Sequence, residues 1–413
     1  MMMIRLFLIG LLAVSGAVQA LQPANPPGFL PAEIARPLLD QDPRVVAARA
    51  GLDVALQEAG ILDKSPYEWT SRVLSQQRRT ESGPRYNEWN IGVERTIRLP
   101  SKAAADRNIG KATVEESQAR YGAALQEAAR ELMALWVDWL AAERARELTG
   151  SGLQAAQASL AAVEKRVRAG DASKLDLSIA GAELAEQKRM YNDAKTQASS
   201  TWSRLSTRFP GVGRQIMALP MPLPLEESTA SWRDRILAQS DELKVVQTQM
   251  RAAQSYAERA RADKTPDPTL GVYTASEVGG RERIAGITIS IPIPGSVRDS
   301  RSAKAIAAVE VSRQEVELRK RQLEAEIVSA ITIARGAYDS LQIASEGAAA
   351  MQQNASLMQR AYALGEAELQ ALLLARRQAT AAMSSALQAQ VTALKAYYGL
   401  LVDAHLIWDL KHD

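Results

Sequence analysis

Two periodicities alternate along this chain. Between Trp89 and Leu99, the apolar residues Trp89, Ile91, Val93, Ile97 and Leu99 alternate with Asn90, Gly92, Glu94, Thr96 and Arg98. A period of two predicts a strand with one apolar face. Arg95 falls on the apolar side and breaks the alternation. A weaker strand precedes it, with Tyr67, Trp69 and Val73 on one parity, and the polar stretch from Arg78 to Pro84 predicts the turn between them. The arrangement returns later. Ile287, Ile289, Ile291 and Ile293 alternate with Thr288, Ser290 and Pro292, their partner segment is Thr269 to Ala275, and the turn runs from Ser276 to Glu282.

The rest of the chain follows a helical period. A helix is expected from about Glu33 to Asp63. A longer pattern starts near Ser101 and ends near Arg168. In it Tyr121, Leu125, Ala128, Leu132, Leu135 and Trp139 form a heptad seam that Leu153, Ala156, Leu160, Val163 and Val167 continue. Thr149-Gly150-Ser151-Gly152 interrupts it, and the pattern alone leaves open whether the rod breaks there. A continuous rod would measure roughly 100 Å at about 1.5 Å per residue. A return helix is expected from about Ser173 to Thr207. The equivalent pair later in the chain spans about Arg298–Ala363 and Ala367–Leu401, with Leu387, Val391, Leu394, Tyr398 and Leu401 as its seam. Abundant Ala lets neighbouring helices approach closely on more than one side.

These elements form an internal two-fold repeat. Val167-Arg168-Ala169-Gly170-Asp171 returns as Tyr362-Ala363-Leu364-Gly365-Glu366, Ile97-Arg98-Leu99-Pro100 as Ile291-Pro292-Ile293-Pro294, and Asp42-Pro43-Arg44-Val45 as Ser240-Asp241-Glu242-Leu243. Three landmarks thus recur in order at nearly constant spacing. The division that follows is a first unit over 21–208, with a β-hairpin at about 66–99 and a helical hairpin at about 101–207 turning near 170. A Pro/Gly-rich linker or belt covers 209–228. A second unit covers 229–404, with a β-hairpin at about 268–293 and a helical hairpin at about 298–401 turning near 365, and a short tail covers 405–413.

Composition sharpens this. The 413 residues are 46% hydrophobic but only 5% aromatic, as in long helices rather than in a globular core of this size. The net charge of +3 is scattered along helix faces, with no basic patch for nucleic acid. Cys is absent, which excludes disulfides, thiolate metal sites and a lipidated cysteine anchor. Arg5, the apolar run Leu6 to Val18 and the small residues Val18 and Ala20 read as a secretory signal peptide over 1–20, too short for a spanning helix. An exported chain with no other apolar span enters a membrane only through strands. Four strands cannot close a membrane barrel. Two copies would supply eight and three would supply twelve, and the pattern does not choose.

The order of elements, the duplication and several strings resemble the TolC-type outer-membrane efflux proteins over roughly Pro31 to Leu401. The strings are Val167-Arg168-Ala169-Gly170-Asp171 with Leu175-Asp176-Leu177, Leu364-Gly365-Glu366 with Leu372-Leu373, and Ile289-Ser290-Ile291-Pro292-Ile293-Pro294 before a long helix. The resemblance implies a mainly α fold with a small transmembrane β part. In it, four strands per chain join a trimeric, twelve-stranded outer-membrane β-barrel, and antiparallel helical hairpins form an α-barrel across the periplasm of a Gram-negative bacterium. It implies a homotrimer in outer-membrane lipid, partnered by a periplasmic adaptor (membrane fusion) protein and an inner-membrane RND-type pump. The short chain and Leu99-Pro100-Ser101-Lys102 look most like the outer-membrane members of heavy-metal RND systems. Drug or organic-solute efflux, type I secretion, and a soluble periplasmic coiled-coil adaptor or scaffold are the alternatives.

No catalytic constellation, phosphate loop or cofactor motif stands out, so a passive duct without cofactor is expected. His405 and His412 lack further convergent ligands for a metal site. The resemblance places Gly170-Asp171 and Gly365-Glu366 at the periplasmic mouth, with Asp176 and Glu368 nearby. Glycine suits so sharp a reversal. Acids around a three-fold axis would attract cations, although acids at helix N-termini are also favoured by the helix dipole alone. In the best-known drug-efflux members a basic residue follows the second turn and acids lie further along the helix. Here Ala367, Ala371 and Leu374 stand in those places, so that gating network does not transfer whole.

Overall fold

The computed structural model describes residues 29–79, 81 and 83–410. The expected signal peptide, Thr80 and Ser82 of the first strand turn, and His412 lie outside the described residues.

Where one helix is expected from Glu33 to Asp63, two form: α1 (Ala32–Asp40) and α2 (Pro43–Asp63). The Asp42 carboxylate accepts the Arg44 N–H at 2.8 Å, and Pro43 enters the first turn of α2, where its missing N–H is no loss. Its ring would clash with a continuing helix. The second half breaks at the equivalent place. There α5 (Thr229–Gln239) yields to α6 (Asp241–Ala262) at Ser240, whose hydroxyl accepts the Leu243 N–H at 3.2 Å. The landmark shared by the two halves is therefore a helix cap.

Four strands form one antiparallel sheet in the order β1 (Thr70–Arg79), β2 (Arg85–Thr96), β3 (Thr269–Glu277) and β4 (Glu282–Ser290). Val73 opposes Ile91, Ile91 opposes Thr274, and Thr274 opposes Ala285. The strands stop short of the expected ends. Ile97 and Leu99 follow β2, while Ile291 and Ile293 follow β4, where Pro292 and Pro294 have no N–H for a ladder.

Each hairpin of strands feeds a hairpin of helices. These are α3 (Pro100–Ala169) with α4 (Lys174–Arg208), and α7 (Ser296–Leu364) with α8 (Leu369–Asp403). The α3 rod is continuous for 70 residues through Gly150 and Gly152. Both glycines mark close approach to α4. A Cβ at Gly152 would lie 2.8 Å from Gln187 Oε1, and one at Gly150 would lie 3.4 Å from the Tyr191 ring.

The main core lies where α1, α2, α5 and α6 flank the long rods. Leu125, Leu132, Trp136 and Trp139 of α3 meet Leu205, Ile331, Leu394 and Tyr398 there, all buried. Residues 404–410 add to it. Trp408 is fully buried, stacks on Phe29 at 4.9 Å, and donates its indole N–H to Leu30 O at 2.8 Å. The linker also packs. Phe209 and Val212 are buried, and Gln390 Nε2 donates to Pro220 O at 2.8 Å.

No described helix is long and apolar enough to cross a membrane.

Candidate functional site

Residues directly opposed in an antiparallel sheet share a face, so the register sorts the side chains of the sheet. One face carries Val73, Trp89, Ile91, Val93, Leu270, Val272, Ala285, Ile287 and Ile289, and within the paired registers it carries no Asp or Glu. Val73, Val272, Ile287 and Ile289 are each 62–77% exposed, which a strand in water would not sustain in such number. The other face carries Arg72, Arg78, Glu88, Asn90, Glu94, Tyr273, Glu277 and Thr288. All of its charges but Glu282 are paired across strands. Arg72 bonds Glu94 at 2.8 Å, while Arg78 bridges Glu88 at 3.0 Å and Glu277 at 3.1 Å. Glu88 also accepts from Gln76 Nε2 at 2.9 Å. Among the described residues, both outer strands keep an unpaired edge.

A buried ionic collar joins this sheet to the rods. Lys102, 2% exposed, sits 3.2 Å from Asp263 and 3.1 Å from Asp267. Asp267 also accepts from the Tyr67 hydroxyl at 2.7 Å and the Leu99 N–H at 3.0 Å. Burial opposes its charge, but these donors together with Lys102 hold its carboxyl below the usual carboxylate range. Beside it, Asp106 pairs with Arg98 at 3.0 Å and Arg259 at 2.6 Å, and Arg98 donates to Leu62 O at 2.8 Å. Three cations and three carboxylates therefore balance at the first strand-to-helix junction. The string Leu99-Pro100-Ser101-Lys102 supplies the centre of this collar.

At the far end of the rods the two helical turns have one design. Gly170 and Gly365 are left-handed, with φ of 87° and 79°. Asp171 N–H bonds Arg166 O and Gly170 N–H bonds Val167 O; Glu366 N–H bonds Ala361 O and Gly365 N–H bonds Tyr362 O. Each is a Schellman closure, which needs the left-handed residue that glycine provides without strain. Asp171, Glu366 and Glu368 are exposed. Asp176 is engaged in capping: its carboxylate accepts the Ser173 N–H at 3.1 Å, and its own N–H bonds the Ser173 hydroxyl at 3.0 Å. Glu368 is the N-cap residue of α8, with no side-chain capping bond.

The structure adds residues that the sequence reading missed. Arg166 donates to the Tyr362 hydroxyl at 3.1 Å with its guanidinium 5.5 Å above the ring, tying one turn to the other. Behind this tie, Val163 and Ala180 of the first hairpin pack on Leu369 and Leu373 of the second. Further in, Arg377 Nε bonds the buried Glu183 at 2.8 Å, and Gln187 donates to Glu183 at 2.9 Å. A signal was present. In the 195-residue register of the repeat, Arg166 faces Ala361, Tyr362 faces Val167, and Glu183 faces Gln378. The halves differ where they touch.

Among the described residues no group of three or more His, Cys, Asp or Glu side chains could hold a metal ion.

The sequence profile described as "Outer membrane efflux protein" matches residues 35–208 and 232–401. No curated protein matches. Solved structures share the fold. The Campylobacter jejuni CmeC outer membrane channel is 14% identical with a TM-score of 0.73, covering 92% of this chain and 86% of its own. CusC is 16% identical with a TM-score of 0.72, covering 93% and 97%. The open-state Neisseria gonorrhoeae MtrE outer membrane channel is 15% identical with a TM-score of 0.70, covering 92% and 90%.

Proposed function

The chain belongs to the outer membrane efflux protein family, and from that premise we propose that it is the exit duct of a tripartite efflux system. Three copies close twelve strands into a barrel in the outer membrane of a Gram-negative bacterium. Their helical hairpins enclose a tunnel in the periplasm. An inner-membrane RND-type pump drives substrate in through a periplasmic adaptor, and the duct conducts it passively.

The sheet carries this reading. Its apolar, acid-free face suits lipid, and its paired-charge face suits a wet lumen. Unpaired edges at β1 and β4 are untenable in hydrocarbon, so β4 of one copy must pair with β1 of the next. A soluble coiled-coil adaptor has no use for such a sheet.

Metal cations are the proposed cargo. Exposed carboxylates of Asp171, Glu366 and Glu368 at the turns, repeated about a three-fold axis, would concentrate cations at the mouth. A conduit needs no ligand cage, because tight binding would slow release.

Fractionation followed by seminative electrophoresis tests the duct. The expected result is outer-membrane residence and a heat-sensitive band at three times the monomer mass. A monomer released without detergent overturns the reading. Metal salts and organic toxicants applied to a deletion strain then separate the cargo classes: sensitivity to organic compounds alone overturns metal export.

A further inference from the structure

The apolar face of the sheet has a basic end. In the register, Arg79 opposes Arg85 directly, and Arg283, which opposes Ser276 in the row of Trp89, lies on the same face of β4. All three are exposed, and among the described residues none makes an ion pair or a side-chain hydrogen bond. The contrast with the opposite face is sharp, since Arg72 and Arg78 there are both matched by glutamates. Like charges placed directly across two strands repel, and no carboxylate on that face relieves them. An anion from outside the chain would.

The position of this end fixes what that anion is. Resting on the duct reading above, the rods are periplasmic, so the strand turns, at the opposite end of the sheet, face the cell exterior. On β2, Arg85 and Arg95 bracket the uncharged, outward-facing Asn87, Trp89, Ile91 and Val93. Ten residues at about 3.3 Å, tilted by about 40°, rise roughly 25 Å, the height of the apolar band of a membrane barrel. Arg95 at the lower boundary is engaged: it donates to Tyr67 O at 3.1 Å and lies 5.5 Å over the Trp69 ring. At the upper boundary, Arg79 and Arg85 stand at headgroup level, and Arg283, four residues further in by register, comes within reach of it through its long side chain; none of the three has anything from its own chain to bond.

We propose that Arg79, Arg85 and Arg283 form a lipid-facing site for the phosphate groups of the phosphorylated glycolipid in the outer leaflet. Guanidinium forks match phosphate oxygens bidentately. The site fixes the depth of the barrel and relieves the repulsion between Arg79 and Arg85.

The test is native mass spectrometry of the full-length protein, purified from outer membranes and delipidated, then offered bis-phosphorylated lipid A, dephosphorylated lipid A or phosphatidylglycerol. The wild type is expected to retain the bis-phosphorylated lipid over both others. In the triple variant Arg79→Gln, Arg85→Gln, Arg283→Gln, retention should fall by roughly 100-fold, at about fivefold per arginine near a charged surface. The triple Lys variant keeps the charge but loses the bidentate fork, so its retention should lie between those of the wild type and the Gln variant, which separates charge and fork from a loss of fold. The single Arg85→Gln variant, expected to lose part of the retention, serves if the triple one does not assemble. Equal retention of phosphorylated and dephosphorylated lipid by a protein that still runs as a heat-sensitive oligomer overturns the site and leaves the duct intact. A protein absent from the membrane fraction overturns both.

Discussion

Lys102 Nζ lies 3.1 Å from the Asp267 carboxylate, across 165 positions of sequence, and both side chains are almost wholly buried. Removing one partner of a buried pair leaves the other charge uncompensated, at a cost of about 3–5 kcal/mol. Lys102→Met is therefore expected to lower the stability of the assembled protein by about that amount, with the loss centred where sheet meets rods. The double variant Lys102→Met, Asp267→Asn should recover part of it. Thermal unfolding in detergent of the two variants and of Asp267→Asn measures the coupling. Additive effects would show that the two side chains do not depend on each other.

Asp267 also predicts a pH response. Its folded-state carboxyl titrates below the ordinary value, which is about 4. A depressed pKa contributes stability that is complete above the unfolded value and is lost as pH falls through the folded one. Glu143 behaves likewise: burial opposes its charge, but Arg146 and Arg214 donate to it and lower its pKa. Unfolding temperature should be insensitive to carboxylate protonation near neutrality and decline below pH about 4. Asp267→Asn should flatten that decline. An unchanged acid limb in this variant would remove Asp267 from the account.

The collar shows why one part of the fold was legible and another was not. Alternation at Ile287 and Ile289 and heptads at Leu125 and Leu132 report local geometry, so the strands, rods and repeat could be read directly. Gly170 and Gly365 were legible for the same reason. Gly150 and Gly152 were not, because a glycine that breaks a helix and one that admits Gln187 and Tyr191 look alike in sequence. The break at Asp42 was written in Asp42-Pro43, a cap followed by a helix-starting proline, but the helical pattern on both sides masked it. The Arg166–Tyr362 tie and the pairing of Lys102 with Asp267 depend on which distant segments meet, which no local pattern encodes.

Tyr273 fills a trough that only glycines leave open. A Cβ at Gly286 would come within 2.6 Å of the Tyr273 ring, and one at Gly92 within 3.2 Å of Tyr273 Cβ. Gly286→Ala should therefore push the half-exposed Tyr273 ring off its rotamer at a cost of about 0.5–1.5 kcal/mol. Adding Tyr273→Ala should restore most of the lost oligomer yield, because the clashing ring is gone. Heat-modifiability on seminative gels reads this. A double variant no better than Gly286→Ala would mean that the ring is not the obstacle.

The turns separate backbone strain from contact. A Cβ at Gly170 or Gly365 meets nothing within 4 Å, so Gly→Ala there changes only the cost of a left-handed residue. That cost is about 1–2 kcal/mol for alanine and less for asparagine. Hydrogen exchange at 166–176 should quicken in Gly170→Ala and much less in Gly170→Asn.

Arg377 and Glu183 give the sharpest functional expectation. Glu183 is buried on α4 and holds Arg377 of α8 and Gln187 of its own helix, so it fastens the two helical hairpins behind their turns. Arg377 is 58% exposed, which screens its side of the pair, and about 1–3 kcal/mol is expected on its removal rather than the full buried-pair penalty. With Arg377→Ala the buried carboxylate keeps only the Gln187 hydrogen bond and the attraction of neighbouring Arg376, and the inner ends of the hairpins should part more readily. Cells carrying that variant should take up more of a large hydrophilic antibiotic than cells carrying the wild-type chain, and single-channel records should show longer open times. Glu183→Gln removes the buried charge and keeps its shape, so it should loosen the pair with a smaller stability loss. If both variants leave antibiotic uptake and open times at wild-type values while unfolding at lower temperature, the pair stabilises the rods without governing how far their ends separate.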